Sequence, residues 1–522
     1  MVGWAAAGIV AGATGIGVAL LLAALAGRGD PVLAVGSSAI DLAPTPLKEF
    51  AVSRFGTADK TVLVGGMVAV LIGAAAVAGM LVRRHRLIGS ALVALLGVLG
   101  AAATLTRPGS TATDAMPALI GAAVAAVALL ALRSAAAPRP ADLPERPPAA
   151  TGAGETAAAL ARPQLVRPSR RRFLALGAGL GVVALATGGT GLRLSRSRAE
   201  LEAARATIRL PAPADPAPPL PPGVDSGVPG ATPFQTASDQ FYRVDTALIV
   251  PRLDPRSYAL EIGGMVDRPL RLSYDDLLAM PLVERDITLT CVSNEVGGPY
   301  VGSTRWLGVR LTDVLDRAGI QPAAEQLLST SADGWTASTP VSIATDGRDA
   351  LIAVGWNGEP LPLDHGFPVR LVVPGLYGYV SATKWLVSIK ATTYADDPAY
   401  WTQRGWDVNG PILTQARIDV PAPLSRLAPG RVAIAGVAWA QHRGISAVEV
   451  QIDDDDWRPA RLGAVPSADT WCTWVLPWEA TPGPHTLRVR ATDGSGVVQT
   501  AARTTPYPRG ATGQQELVVI VG

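Results

Sequence analysis

Asp286-Ile-Thr-Leu-Thr-Cys291-Val-Ser-Asn294-Glu-Val-Gly297-Gly298 is the stretch on which the fold turns. Ile287, Leu289 and Cys291 fall on one side of an extended segment, and Thr288 and Thr290 on the other, which predicts a strand. Val292–Gly298 then reads as a Gly-containing loop. A cysteine at the point where a rigid strand opens into a loop is well placed to present a thiolate to a soft metal. On chemistry alone, a lone cysteine serves more often as a small buried hydrophobe.

Working outward, Tyr258–Gly263 alternates like a strand, and Ser273 with Asp276 three residues on forms a helix-start signature before Leu277 and Leu278. Leu311, Val314, Leu315 and Ala318 keep helical spacing, and Gly319 can end that helix. Strands and helices mix without a βαβ rhythm, so residues 234–417 are expected to be α+β. From about Pro421 only strands are expected, over Arg431–Ala438, Ala447–Asp453, His485–Thr492 and Leu517–Val521. Residues 418–522 thus read as an all-β, immunoglobulin-like sandwich. The Pro-rich stretch Pro211–Gly230 reads as an extended spacer within 194–233.

A second block carries more information. It runs Ala353-Val-Gly-Trp-Asn357-Gly358-Glu359-Pro360-Leu-Pro-Leu-Asp-His365-Gly366-Phe367-Pro368-Val-Arg370, and continues through Pro374-Gly375, Tyr377-Gly378 and Ala382-Thr383-Lys384-Trp385-Leu386. With Cys291, it resembles the sulfite oxidase family of molybdopterin enzymes, over about residues 236–522. The resemblance implies a catalytic domain followed by a dimerisation domain, and a molybdenum–molybdopterin cofactor with Cys291 as the metal's protein ligand. Phe241, Tyr242 and Arg243 match the segment that meets the pterin, and Arg243 would be an active-site arginine. His365 and Arg370 would contact the pterin or its phosphate, and Ala382, Thr383 and Lys384 would donate to the cofactor. Ser331, with Asp333 nearby, falls at a further cofactor-contact position. Buried phosphate needs such fixed donors and cations.

This sequence departs from the family's sulfite oxidisers in the expected pocket. Val244-Asp245 stands where they have Asn-His, Asn294-Glu295 where they have arginine, and Trp406 where they have a catalytic tyrosine. A dianion entering a buried site needs cations to offset its lost hydration. A small substrate carrying less charge, an S-oxide or N-oxide, is therefore expected to face Arg243 and Trp406. A true sulfite oxidase is the alternative within the enzyme class. A non-catalytic membrane scaffold is the alternative outside it, and retention of Cys291, His365, Arg370 and Lys384 argues against that.

The first third is of another kind. Trp4–Ala26, Thr61–Val82, Leu87–Leu105, Ala115–Leu132 and Phe173–Leu192 are uncharged and approach the ~20 residues of a membrane-spanning helix. Residues 1–135 are expected to hold four such helices and 173–193 the fifth, with 136–172 a basic cytoplasmic linker. Arg83, Arg84, Arg86 and the basic linker share a side if the N-terminus is cytoplasmic, which puts everything after Leu192 outside the cytoplasm of a multi-pass membrane protein. Ser169-Arg170-Arg171-Arg172-Phe173-Leu174 resembles a twin-arginine export signal.

Two cysteines and four histidines exclude zinc ribbons, iron–sulfur runs and covalent haem, and no haem is expected. Electrons then need a separate redox protein or a membrane quinone. A net charge of +2 implies no nucleic-acid partner. The C-terminal strands resemble the family's dimerisation sandwich, which implies a homodimer; Trp439, Trp457, Trp471, Trp474 and Trp478 are expected to fill its β core, and Cys472 among them reads as core.

Overall fold

The computed structural model describes residues 2–26, 30–44, 54, 59–107, 110–136, 170–195, 198–248 and 250–522. They form two compact units, 1–197 and 198–522.

In the first unit the helices are Val2–Leu25, Pro31–Leu42, Asp59–Arg84, Arg86–Leu105, Met116–Ala136 and Arg170–Ser195. Five are long and apolar enough to cross a membrane, at 20 to 25 residues each. Their crossings rest on glycine. A methyl group at Gly8 would collide with the Ala75 carbonyl, and one at Gly15 with the Gly121 carbonyl. Without a hydrophobic drive between helices in lipid, such close backbone approach supplies the packing. Pro31–Leu42, capped by the Asp30 carboxylate, was not expected and is too short to span. The basic linker falls outside the described residues between 137 and 169, and the export-like motif is described only from Arg170, where the last of these helices begins.

The second unit holds two sheets of the mixed region. In one, Leu282–Thr290, Val301–Arg310 and Leu351–Trp356 lie side by side and antiparallel, with Arg370–Val372 also on Leu351–Trp356. In the other, Ala259–Gly264 pairs parallel with Leu386–Thr392, which continues antiparallel to Gln326–Ser331 and Thr336–Pro340. Ser273 and Asp276 form the reciprocal cap of helix Tyr274–Ala279, and Gly319, at φ +70°, ends Leu311–Ala318. Both are as the sequence predicts.

The all-β region also has two sheets, one with Gln415–Val420, Gly430–Trp439 and Cys472–Ala480, the other with Ile445–Ile452, Gly483–Asp493 and Gln515–Val521. Ile434, Trp474, Val450, Leu487 and Val519 fill the space between them. The expected boundary at 417/418 falls inside the strand Gln415–Val420, which pairs entirely within the all-β region. Trp439 and Trp471 were expected in this core. They pack instead with residues of the mixed region, and the Trp471 indole donates to Phe234 O at 2.8 Å.

Strand Leu282–Thr290 is enclosed on both faces, for Thr288 and Thr290 are buried as fully as Ile287 and Leu289. Their polar groups are met from the all-β region: Trp471 N donates to Thr288 Oγ1 at 2.8 Å, and Gln441 Nε2 to Thr290 Oγ1 at 2.9 Å. The reading of the Pro-rich stretch as an extended spacer needs correction. The stretch lies along the unit as a belt, with Ala214 N on Leu282 O at 2.8 Å, Asp215 paired with Arg310 at 2.7 Å, and Val224 O accepting from Thr473 Oγ1 at 2.7 Å. Proline removes donors but leaves carbonyls and extended backbone, which suit edge pairing. Ahead of the belt, helix Arg198–Thr207 also docks: Leu201 is buried against the Trp306 and Trp356 cluster, and Arg205 donates to the Pro360 and Leu361 carbonyls.

Candidate active site

Cys291 follows the last residue of strand Leu282–Thr290. The loop after it is tied back on itself. Cys291 N donates to Tyr300 O at 3.0 Å, and Tyr300 N to the buried Asn294 side chain at 2.7 Å. The thiol is free and almost completely buried. Burial pushes its pKa up, while hydrogen bonding to Ser293 and the Lys384 ammonium act in the opposite direction. A soft metal would displace that proton on binding.

Aromatic rings floor the site. Phe241 stacks on Tyr242 with centroids 5.2 Å apart, lies 5.2 Å from Trp356, and meets His365 edge-on at 5.9 Å. Gly302 makes room, since a methyl there would stand 2.9 Å from the Phe241 ring. His365 lies 4.7 Å from Trp356. Burial and the cations Lys384, Arg370 and Arg243 push its pKa down to about 3. The imidazole is therefore neutral, and it offers one donor and one acceptor rather than a charge.

Arg370 is buried above the Trp306 ring, its guanidinium 4.9 Å from the centroid. It donates to His365 O at 3.1 Å and Ala382 O at 3.3 Å, and its Nε has no partner. Burial lowers its pKa only to about 10, so it stays charged.

The stretch Ala382–Leu386 stitches the two mixed-region sheets together. Thr383 O accepts from Leu371 N, while Thr383 Oγ1 shares a 2.7 Å hydrogen bond with Ser329 Oγ. Gly366, at φ +113°, lets Lys384 approach, because a methyl there would meet the Lys384 Cα at 3.2 Å. Burial pushes the Lys384 pKa down to about 8 against the pull of Asp245, which accepts from its ammonium at 2.7 Å.

Phe241, Tyr242, Arg243, Cys291, His365, Arg370, Ala382, Thr383 and Lys384 are thus brought into one neighbourhood. Ser331 joins through the second sheet, paired to Leu386, with its buried Oγ unpartnered. Trp406 belongs to a separate aromatic set with Tyr379, Trp401 and Tyr507, at 5.3 to 5.8 Å. Sequence reasoning missed Asp245, Trp306 and Trp356 as members. Asp245 had stood only as a departure from a family pattern, and the two tryptophans as anonymous apolar positions.

Known proteins share this arrangement of sequence. Residues 247–401 match the oxidoreductase molybdopterin binding domain. An uncharacterized oxidoreductase, YuiH of Bacillus subtilis, is 33% identical over 178 residues, covering 34% of this chain and 86% of that protein. The chain belongs to the sulfite oxidase-like molybdopterin oxidoreductases. Mitochondrial sulfite oxidase of Homo sapiens is 31% identical over 289 residues, 46% of this chain and 53% of that protein. The chain therefore spans about half the length of the curated sulfite oxidases it matches. The sulfane dehydrogenase SoxCD of Paracoccus pantotrophus aligns at 24% identity with a TM-score of 0.48, over 55% of this chain and 81% of that one.

A member of this family is an enzyme whose cofactor is molybdenum held by molybdopterin. The residues present fit that group. Cys291 offers an unbridged thiol, and Arg370 Nε and Ser331 Oγ are buried polar atoms without partners, which native interiors rarely tolerate. Arg370 and Lys384 supply positive charge for a phosphate.

Proposed function

We propose that this chain is a membrane-anchored, extracytoplasmic oxidoreductase that carries out oxo transfer, with Cys291 as the protein ligand to molybdenum. The observation that carries the reading is the position of Cys291, at a strand end beside Lys384 and Tyr242, residues whose other charged neighbours include Arg370. The cofactor supplies the two-electron redox chemistry. The chain orients it: Arg370 and Lys384 as cations, His365 as a neutral hydrogen-bonding ring, and backbone groups of Ala382 and Thr383 as fixed contacts. Phe241, Trp306 and Trp356 exclude water on one side. Reduction of an S-oxide or N-oxide consumes two electrons and two protons and releases water. The electrons come from a quinol or a separate redox protein.

The test is direct. The full chain, matured with cofactor and solubilised in detergent, is expected to carry about one molybdenum per chain by elemental analysis and to reduce sulfoxides with a reduced viologen dye. A metal-free chain that is inactive under these conditions would favour a scaffold and sink the reading.

The sidedness rests on Arg83, Arg84 and Arg86 and on the basic residues before the last membrane helix. In our reading 1–135 and 173–193 anchor the chain, 234–417 is catalytic, and 418–522 is an immunoglobulin-like domain through which two copies pair. Replacing Arg170, Arg171 and Arg172 with lysine preserves charge and removes the arginine signal. The catalytic domain is then expected to stay cytoplasmic, as judged by its protection from protease added to wall-stripped cells. Continued cleavage would reduce these arginines to charge anchors.

A further inference from the structure

One oxygen of Asp245 accepts from two cations. Arg243 Nε donates to Asp245 Oδ2 at 2.8 Å, and Lys384 Nζ donates to the same atom at 2.7 Å. The carboxylate is buried, with its side chain 5% exposed, and Lys384 also donates to Val244 O at 3.1 Å. Asp364 stands 3.7 Å from the other end of Arg243. The charges of Arg243, Lys384 and Arg370 all bear on His365, and that of Lys384 on Cys291, so the cluster borders the proposed metal position.

Three cations gathered near a soft thiol would ordinarily form an anion site, since fixed positive charge in a poorly hydrated pocket attracts oxyanions. Here two carboxylates already answer them, and the cofactor's phosphate would draw on Arg370 and Lys384 as well, so no positive charge is left over for a second anion. An incoming dianion would have to compete with Asp245 for the same donors, and that carboxylate is tethered to them by the chain. A neutral oxo compound pays no such penalty.

We propose that Asp245 is a specificity-determining residue: its carboxylate fills the anion position between Arg243 and Lys384, so the site takes uncharged S-oxides or N-oxides and turns away dianions. The proposal deepens the reading of Cys291 as the metal's ligand and rests on it.

Sulfate, an unreactive dianion, is the probe. Its dissociation constant is measured by calorimetry on the full-length, molybdenum-loaded protein, wild type beside Asp245→Asn and Asp245→Glu. Hydrogen bonds to charged groups are strong enough that removing the negative charge from between the two donors is expected to tighten sulfate by about 10- to 100-fold in Asp245→Asn, with Asp245→Glu close to wild type. In steady state, the ratio of the sulfite KM to the KM of a neutral sulfoxide is expected to fall in Asp245→Asn. Equal sulfate affinity in wild type and Asp245→Asn, both carrying molybdenum, would overturn the proposal while leaving the Cys291 reading intact. If Asp245→Asn fails to load, the wild type alone decides, because a sulfite KM at or below the sulfoxide KM contradicts the idea. Absence of molybdenum from the wild type would instead remove the Cys291 reading and this proposal together.

Discussion

The two cysteines make an instructive pair. Both are free and buried. Cys472 begins strand Cys472–Ala480, its sulfur 3.2 Å from Thr473 O and 3.5 Å from Gly463 O, and burial pushes its pKa up to about 11. Its sulfur meets only backbone carbonyls. Cys291 stands just past a strand end, where the Lys384 ammonium bears on it. The amino acid is the same and the burial similar. What differs is the charge that reaches the sulfur, and the thiol beside a cation is the one suited to bind as a thiolate.

The largest effect expected from that contrast is Cys291→Ser. An alkoxide matches molybdenum poorly, so turnover is expected to disappear while the fold persists. Full activity in this variant would erase the distinction between the two cysteines.

A middle-sized effect is expected in the all-β region, where Cys472 lies. Asp493 accepts from Arg443 Nε at 2.9 Å, Thr414 Oγ1 at 3.0 Å and Ser495 Oγ at 2.6 Å. Burial pulls its carboxyl up, but hydrogen bonds from Ser495, Arg443, Val497 and Thr414 outweigh this and hold it well below the usual range. A carboxyl with a depressed folded pKa contributes stability above the ordinary value of about 4 and loses it progressively as pH falls below that. Asp493→Asn is expected to cost about 3 kcal/mol at neutral pH in chemical denaturation. It is also expected to flatten the loss of stability in acid, and an unchanged acid slope would show that the burden lies elsewhere.

The smallest effect belongs to Cys472→Ser. The new hydroxyl finds carbonyl acceptors already in place, so a cost of about 1 kcal/mol with molybdenum retained is expected. Loss of the metal here would break the comparison from the other side.

Local grammar was legible in the sequence wherever one or two turns decide an outcome. Ser273 with Asp276, Gly319 after Ala318, and the strand opening at Cys291 all behave as their neighbours dictate. The five long apolar helices were legible for the same reason. What stayed hidden depends on partners far along the chain. What covers Thr288 was not visible, because Trp471, which donates to it, is 183 residues away. Asp245 looked like a lost cation site because Lys384, 139 residues on, was not visibly its partner. The Pro-rich belt looked like a spacer because composition reports an extended backbone and says nothing of a receiving edge.

That belt has a bearing on the order in which the domain can form. Its carbonyl at Val224 is met by Thr473, 249 residues later, and Phe234 O by Trp471, 237 later. Closing loops of that size costs chain entropy before any contact repays it. While the chain is being made, Ala214 and Asp215 can already meet Leu282 and Arg310, but the stretch from Val224 to Phe234 waits beside a half-finished surface until the strand Cys472–Ala480 arrives. A ribosome stalled before residue 471 would hold the belt seated at its front and unattached behind.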